Sequence, residues 1–157
     1  MAFLRDANTS QSVIDIFDGL ERLLGLEVFR NVFPVILTDN GTEFSNPGAI
    51  ERSVDGESVR TRVFYCDPYA AWQKPNVENN HRNLRRILPK GESMDFLTQE
   101  KVNLALSHMN SVIRASLGNV TAARRFAQCY GEDVLEKLGI GEIAPDQVRM
   151  TPELVRD

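Results

Sequence analysis

Two acidic residues stand where metal-dependent phosphoryl chemistry could be built. Asp39 lies in TDNGTEF, directly after the apolar run Val35, Ile36, Leu37, and Glu78 lies in KPNVENNH, at the head of a basic segment. Phosphodiester cleavage needs an activated water or 3′-hydroxyl and a counter-charge on the leaving oxygen, and two divalent ions about 4 Å apart supply both. Hard ions such as magnesium take oxygen ligands, so carboxylates suit them better than His or Cys. Taken alone, two acids among the 22 of this chain are a weak signal. Asp39 could equally be a turn-forming residue beside Asn40 and Gly41. Glu78 could be an acid stabilised by a helix dipole without any metal.

The surrounding charge favours a polyanionic partner. The whole chain is acidic, with a net charge of −4, yet residues 74–90 hold Lys74, Arg82, Arg85, Arg86 and Lys90 against the single acid Glu78. On a helix, Glu78, Arg82 and Arg85 at i, i+4 and i+7 share one face, where phosphate contact and ion pairing with Glu78 both make sense. Lys74 precedes that helix and is a candidate DNA contact. His81, one turn after Glu78 and between Val77 and Leu84, is either a packed residue or a DNA contact. Trp72, with Tyr69, is either a base-stacking platform or the anchor of its loop. Glu43 reads as structural or exposed.

These residues need elements to hold them. Residues 1–5 read as the end of a strand. Asn8 or Thr9 can cap a helix with the stripe Val13, Ile16, Phe17, Leu20, Leu23, Leu24, stopped by Gly25, and LEVFRNVF makes a shorter helix up to Pro34. Val35–Leu37 predicts a buried strand that delivers Asp39 into a turn, and Val63–Tyr65 a second strand. The stretch between them is turn-rich and reads mostly as loop. Helices are expected from about Asn76 to Leu88, with Val77, Leu84 and Leu88 inward, and from about Thr98 to Ser116. Further helical pieces follow near 121–139, then an extended tail. Strands alternating with helices give an α/β layered domain.

Size and composition bound the rest. A length of 157 residues allows one domain with a real core. With no apolar run near the roughly 20 residues of a membrane span and no signal-peptide pattern, the expectation is a cytoplasmic protein that does not engage a membrane. Cys66 and Cys129 are the two cysteines, far apart in the sequence, and read as small buried thiols rather than zinc ligands or a disulfide framework.

The segments VILTDNGTEF (35–44) and FYCDPYAAWQKPNVENNHRNLRRILPKG (64–91) resemble the DDE transposases of the insertion-sequence thirty family, which share a catalytic core with retroviral integrases. LTQEKVNLALSHMNS (97–111) and YGEDVLEKLGI (130–140) are also similar to that family. The resemblance implies an RNase-H-like (integrase catalytic core) fold of the α/β class. It also implies metal-dependent DNA cleavage and strand transfer, with two Mg2+ or Mn2+ ions in the intact enzyme. By position, Asp39 matches the second catalytic carboxylate and metal ligand, and Glu78 the third. The partners implied are DNA, as element ends and target, and further copies of the chain, with no small-molecule substrate.

Two departures qualify that expectation. The family carries its first catalytic Asp on a first strand, and a second strand follows before the segment that Met1–Arg5 resembles. The fold is therefore expected to be incomplete, lacking two strands, with a partial core over 1–130 and an acidic extension over 131–157. The parent protein would be an enzyme and this portion inactive. A catalytically inactive remnant, or a regulatory DNA-binding or self-association module, is the alternative. Ile113 and Ala122 stand where the family has prolines, so the helix from Thr98 is expected to lengthen or join the next.

Overall fold

The computed structural model describes residues 1–68 and 70–156. They form two compact units, one of residues Arg5–Lys74 and one of Met1–Leu4 with the chain from Pro75 onward.

The Arg5–Lys74 unit opens with helix α1 (Ser10–Leu24). Thr9 caps it in a reciprocal box: its hydroxyl accepts the Ser12 N–H, and the Ser12 hydroxyl accepts the Thr9 N–H. Gly25, at φ 82°, ends the helix in a backbone conformation that side chains avoid. Helix α2 (Leu26–Val32) then presents Phe29, fully buried between Phe17 and Phe33, with ring centroids 6.3 and 5.0 Å away. Strand β1 (Val35–Thr38), the short helix α3 (Pro47–Glu51) and strand β2 (Arg62–Tyr65) complete the unit. The strands run parallel, pairing Ile36 with Val63 and Leu37 with Phe64. Because α3 fills part of the connection, residues 45–62 are less of a loop than their turn-rich composition suggests.

The sheet differs from the buried strand expected. Val63 packs inward on Val13, Ile14 and Ile50, whereas Val35, Leu37 and Phe64 are 53, 45 and 55 % exposed. Helices cover one face of this two-stranded sheet and leave the other open, so alternate residues point to opposite fates.

Beneath α1 lies a buried ionic cluster. Arg60, 1 % exposed, places Nη1 2.6 Å from Asp18 Oδ1 and 3.1 Å from Glu21 Oε2. Its Nε donates to the Ile50 carbonyl at 2.8 Å, and its guanidinium lies 5.6 Å from the Phe29 ring centroid. Glu21 in turn accepts from the Ser53 hydroxyl and the Val54 N–H. One arginine thereby ties α1 to helix α3.

The second unit is built on helices α4 (Pro75–Ile87) and α5 (Gln99–Asn110). Leu84, Val102, Leu106, Met109 and Ile140 form one cluster, and Ile87, Ala105 and Val155 a second. The inward stripe of α4 is Leu84, Ile87 and Leu88; Val77, expected there, is 41 % exposed because only the C-terminal half of α4 meets the core. Residues 1–4 are not a strand. With no ladder to join, their polar groups are met by Gln99, whose Oε1 accepts the Leu4 N–H at 3.0 Å and whose Nε2 donates to the Ala2 carbonyl at 3.1 Å.

Helix α5 stops at Asn110 rather than running on to Ser116 or joining the next helix. A small hairpin intervenes, strand β3 (Ile113–Arg114) against strand β4 (Val120–Thr121), with Gly118 and Asn119 at positive φ in its turn. The turn chemistry of Gly118–Asn119 overrides the missing prolines. Helices α6 (Ala122–Tyr130) and α7 (Glu132–Lys137) follow, α6 capped by the Thr121 hydroxyl. Cys129 is exposed on α6, contrary to the expectation, while Cys66 is buried. Among the described residues, no helix is long and apolar enough to cross a membrane.

The tail runs back along α5 and is held by two of its polar side chains and by Ser111, the residue that caps it. Ser107 Oγ accepts the Gly141 N–H, Ser111 Oγ the Ile143 N–H, and His108 Nδ1 the Arg149 N–H, at 3.1, 2.8 and 3.0 Å. Only a neutral ring can accept at Nδ1. Burial, and secondarily the nearby Arg149 charge, hold the His108 pKa below its ordinary 6.5. The unfolded chain therefore takes up the proton first, so stability is full above about pH 6.5 and falls as the pH drops below it. Urea midpoints should be lower at pH 5.5 than at pH 7.5, and His108→Gln should flatten that difference. An unchanged difference in the variant would assign the pH dependence to other groups.

Candidate nucleic-acid and metal site

Asp39 leaves the C-terminal end of β1 with its side chain 67 % exposed. Hydrogen bonds around the strand end fix its backbone: Cys66 N–H to the Thr38 carbonyl at 2.7 Å, and Asn40 Nδ2 to the Cys66 carbonyl at 3.4 Å. The two carboxylate oxygens are used differently. Oδ1 accepts the Gly41 N–H at 3.3 Å, as a turn-forming aspartate would, and Oδ2 faces the Lys74 ammonium at 3.4 Å. Gly41 is where two carboxylates converge. A Cβ there would stand 2.5 Å from Glu43 Oε2 and 3.2 Å from Asp39 Oδ1. Glu43, read from the sequence as structural or exposed, is half-buried and shares this glycine with Asp39. The signal for it was the position of the acid two residues beyond a glycine that a tight turn folds back on.

Lys74 belongs to the same unit, so the structure brings together two of the residues singled out above. Its side chain is only 21 % exposed, and the turn before it is locked by Gln73. That side chain accepts the Asp67 N–H through Oε1 and donates to Asp67 Oδ2 through Nε2, both at 2.9 Å. Trp72 does not anchor this loop: it is 76 % exposed, and Gln73 performs the anchoring. Tyr69, paired with it above, lies outside the described residues.

Glu78, His81, Arg82 and Arg85 lie on α4 in the other unit, all exposed. His81 is therefore not a packed histidine. Among the described residues no ion pair joins Glu78 to Arg82 or Arg85, so the arginines present their guanidinium groups to solvent. No three His, Cys, Asp or Glu side chains converge among the described residues.

A mixed α/β chain with a strand-end carboxylate and a basic helix is thus the context for comparison with known proteins. The chain is similar to several insertion-sequence transposases. It is 25 % identical over 108 residues to the transposase of element IS4351 of Bacteroides fragilis, covering 69 % of this chain and 32 % of that protein. It is 36 % identical over 56 residues to the transposase of IS1086 of Cupriavidus metallidurans, covering 36 % of this chain and 16 % of the relative. Against the transposase InsI of IS30A of Escherichia coli it is 30 % identical over 60 residues, 38 % of this chain and 16 % of that one. The matched part spans a third or less of these curated relatives. No family model matches the chain, and no solved structure matches it.

Proposed function

We propose that this chain is part of the catalytic core of a DNA transposase, of RNase-H-like fold, that cleaves DNA and transfers strands with divalent metal ions. The observation that carries the reading is the Asp39 carboxylate, displayed at a strand end with one oxygen held by a cation, in a chain whose relatives are named transposases. Asp39 and Glu78 would be the metal ligands. The donor set fits: Asp39, 67 % exposed, offers a hard oxygen, Oδ2, which faces the Lys74 ammonium at 3.4 Å. Bound magnesium or manganese would supply charge for activating the attacking oxygen and stabilising the leaving one.

The chain's own residues would do the positioning. Gly41 N–H and the Thr38–Cys66 hydrogen bond keep the Asp39 carboxylate aimed outward from β1. Lys74, 3.4 Å from Asp39 Oδ2, would balance its charge in the absence of a divalent ion and would contact a DNA phosphate once one binds. Arg82, Arg85 and His81 would hold the sugar–phosphate backbone from α4. Self-association belongs to the same reading, because Val35, Leu37 and Phe64 lie on an exposed apolar sheet face, and β1 pairs on one side only among the described residues; static light scattering reads it.

Manganese titration followed by electron paramagnetic resonance tests the ligand pair. Binding should be weak in the wild-type chain and drop by more than about tenfold in Asp39→Asn and in Glu78→Gln, the loss that even an outer partner of a metal site produces. Binding that survives both substitutions would remove the dyad. Joining of element ends to target DNA by this chain alone should be inefficient, since the family chemistry uses a third carboxylate. Robust joining that disappears in Asp39→Ala would place that third ligand within the chain.

A further inference from the structure

We infer that Trp72 is a stacking platform for an unpaired nucleobase, and that it selects frayed or single-stranded DNA next to the Asp39 carboxylate over intact duplex. The inference rests on the reading of the chain as DNA-processing and adds to it a specificity-determining residue.

Trp72 is the chain's single tryptophan, and at 76 % it is the most exposed large apolar side chain among the described residues. An indole left in water forgoes burial of roughly 150–250 Å² of surface, which any folded chain would otherwise use. The loop does not need it outside. The turn over residues 70–73 is closed by the Gln73 N–H to the Ala70 carbonyl at 2.9 Å, and is clamped by the paired hydrogen bonds between Gln73 and Asp67. Trp72 is thus carried on a backbone fixed by its neighbours, with its ring free. A fixed backbone lowers the ordering cost that a flexible aromatic would incur on binding.

Its position in the chain says which partner fits. Two residues on, Lys74 reaches Asp39 Oδ2 at 3.4 Å, so the segment that displays the ring also ends at the carboxylate proposed to bind metal. On its C-terminal side the chain carries Gln73, Lys74 and Asn76, polar or cationic residues that suit a polyanion better than an apolar protein surface. Every base has a π-face, so stacking of this kind tolerates sequence but requires that the base be unpaired. In a duplex the base faces are already occupied by their neighbours.

The test uses the full chain, with two DNA duplexes of equal length as probes, one blunt and one with unpaired terminal nucleotides. Since Trp72 is the single tryptophan, its fluorescence reports on this side chain alone. The frayed duplex should quench it and the blunt duplex should not. Trp72→Ala should weaken binding of the frayed duplex by roughly 5- to 150-fold, the value of one stacked base, with blunt-duplex affinity unchanged. Trp72→Phe, which keeps a π-face, should restore most of the loss. Equal effects on both duplexes, or none on either, would overturn the inference. If Arg82→Gln weakens both probes while Trp72→Ala weakens neither, the DNA-processing reading stands and this one falls; if the wild-type chain binds neither probe, both fall. A Trp72→Ala chain whose mass by light scattering drops to that of a monomer would assign the indole to contact between copies and would also overturn it.

Discussion

Replacing Arg60 by alanine should destabilise the Arg5–Lys74 unit by about 3–5 kcal/mol, the cost of removing one partner from a buried ion pair. The guanidinium is fully buried, and Glu21, its partner at 3.1 Å, is 3 % exposed. Truncation leaves that carboxylate in the interior with only the Ser53 hydroxyl and Val54 N–H for compensation. It also strips the donor from the Ile50 carbonyl and opens a cavity beside Phe29. The charge itself is not what the fold requires. Replacing Arg60 and Glu21 together with apolar residues of similar volume, Arg60→Met with Glu21→Met, should recover part of the loss, because no buried Glu21 charge is left unpaired. The Ile50 carbonyl, Ser53 hydroxyl and Val54 N–H stay without these partners. Hydrogen exchange at the amides of α1 and α3, read in the single and double variants, checks both statements. An Arg60→Ala chain within about 1 kcal/mol of wild type would mean that the cluster is hydrated, and that Asp18, the more exposed acid, dominates it.

This cluster marks the limit of what could be read from the sequence. Local signals located elements well: Thr9 and Gly25 bracket α1, Thr98 starts α5, and β1 delivers Asp39 where the apolar run ends. Each rests on a capping or periodicity rule that acts within a few residues. What failed depended on distant partners. Arg60 lies in the stretch read as mostly loop, and nothing near it in sequence shows that Asp18 and Glu21 are its partners. Residues 1–5 have strand-forming composition, but a strand exists only through a neighbour, and Gln99 supplied the hydrogen bonds instead. The run Val35–Leu37 looked buried, yet burial belongs to the layer on each face, and one face here has none.

The candidate site was legible to a similar degree. Asp39 and Lys74, far apart in sequence, lie 3.4 Å apart, a pairing that neither residue's local sequence indicates. The face of α4 carrying Glu78, Arg82 and Arg85 follows directly from helical spacing. Spacing alone could not decide between ion pairing and free arginines on that face. Among the described residues neither arginine pairs with an acid, which is the arrangement a polyanion could use.

Those free arginines make the strongest prediction about function. If Arg82 and Arg85 each neutralise one phosphate of duplex DNA, each releases condensed counterions and contributes about 0.9 to the slope of log affinity against log salt. The double variant Arg82→Gln, Arg85→Gln should therefore lower the magnitude of that slope by about 1.8 and weaken binding for all sequences alike. The effect should be largest at low salt and fade as salt rises, because it is the counterion term that is removed. The chain's net charge of −4 sharpens the contrast. Lys74, Arg86 and Lys90 then remain as the cations of residues 74–90 to offset long-range repulsion from DNA, so the double variant should bind measurably but more weakly at low ionic strength. Both residues are exposed and hold no ion pair among the described residues, so the substitutions should leave thermal unfolding unchanged and separate binding from folding. Fluorescence anisotropy of a labelled duplex across a salt series makes the measurement. A slope unchanged in the double variant would mean that α4 faces away from the DNA backbone, and that the basic character of residues 74–90 serves another contact.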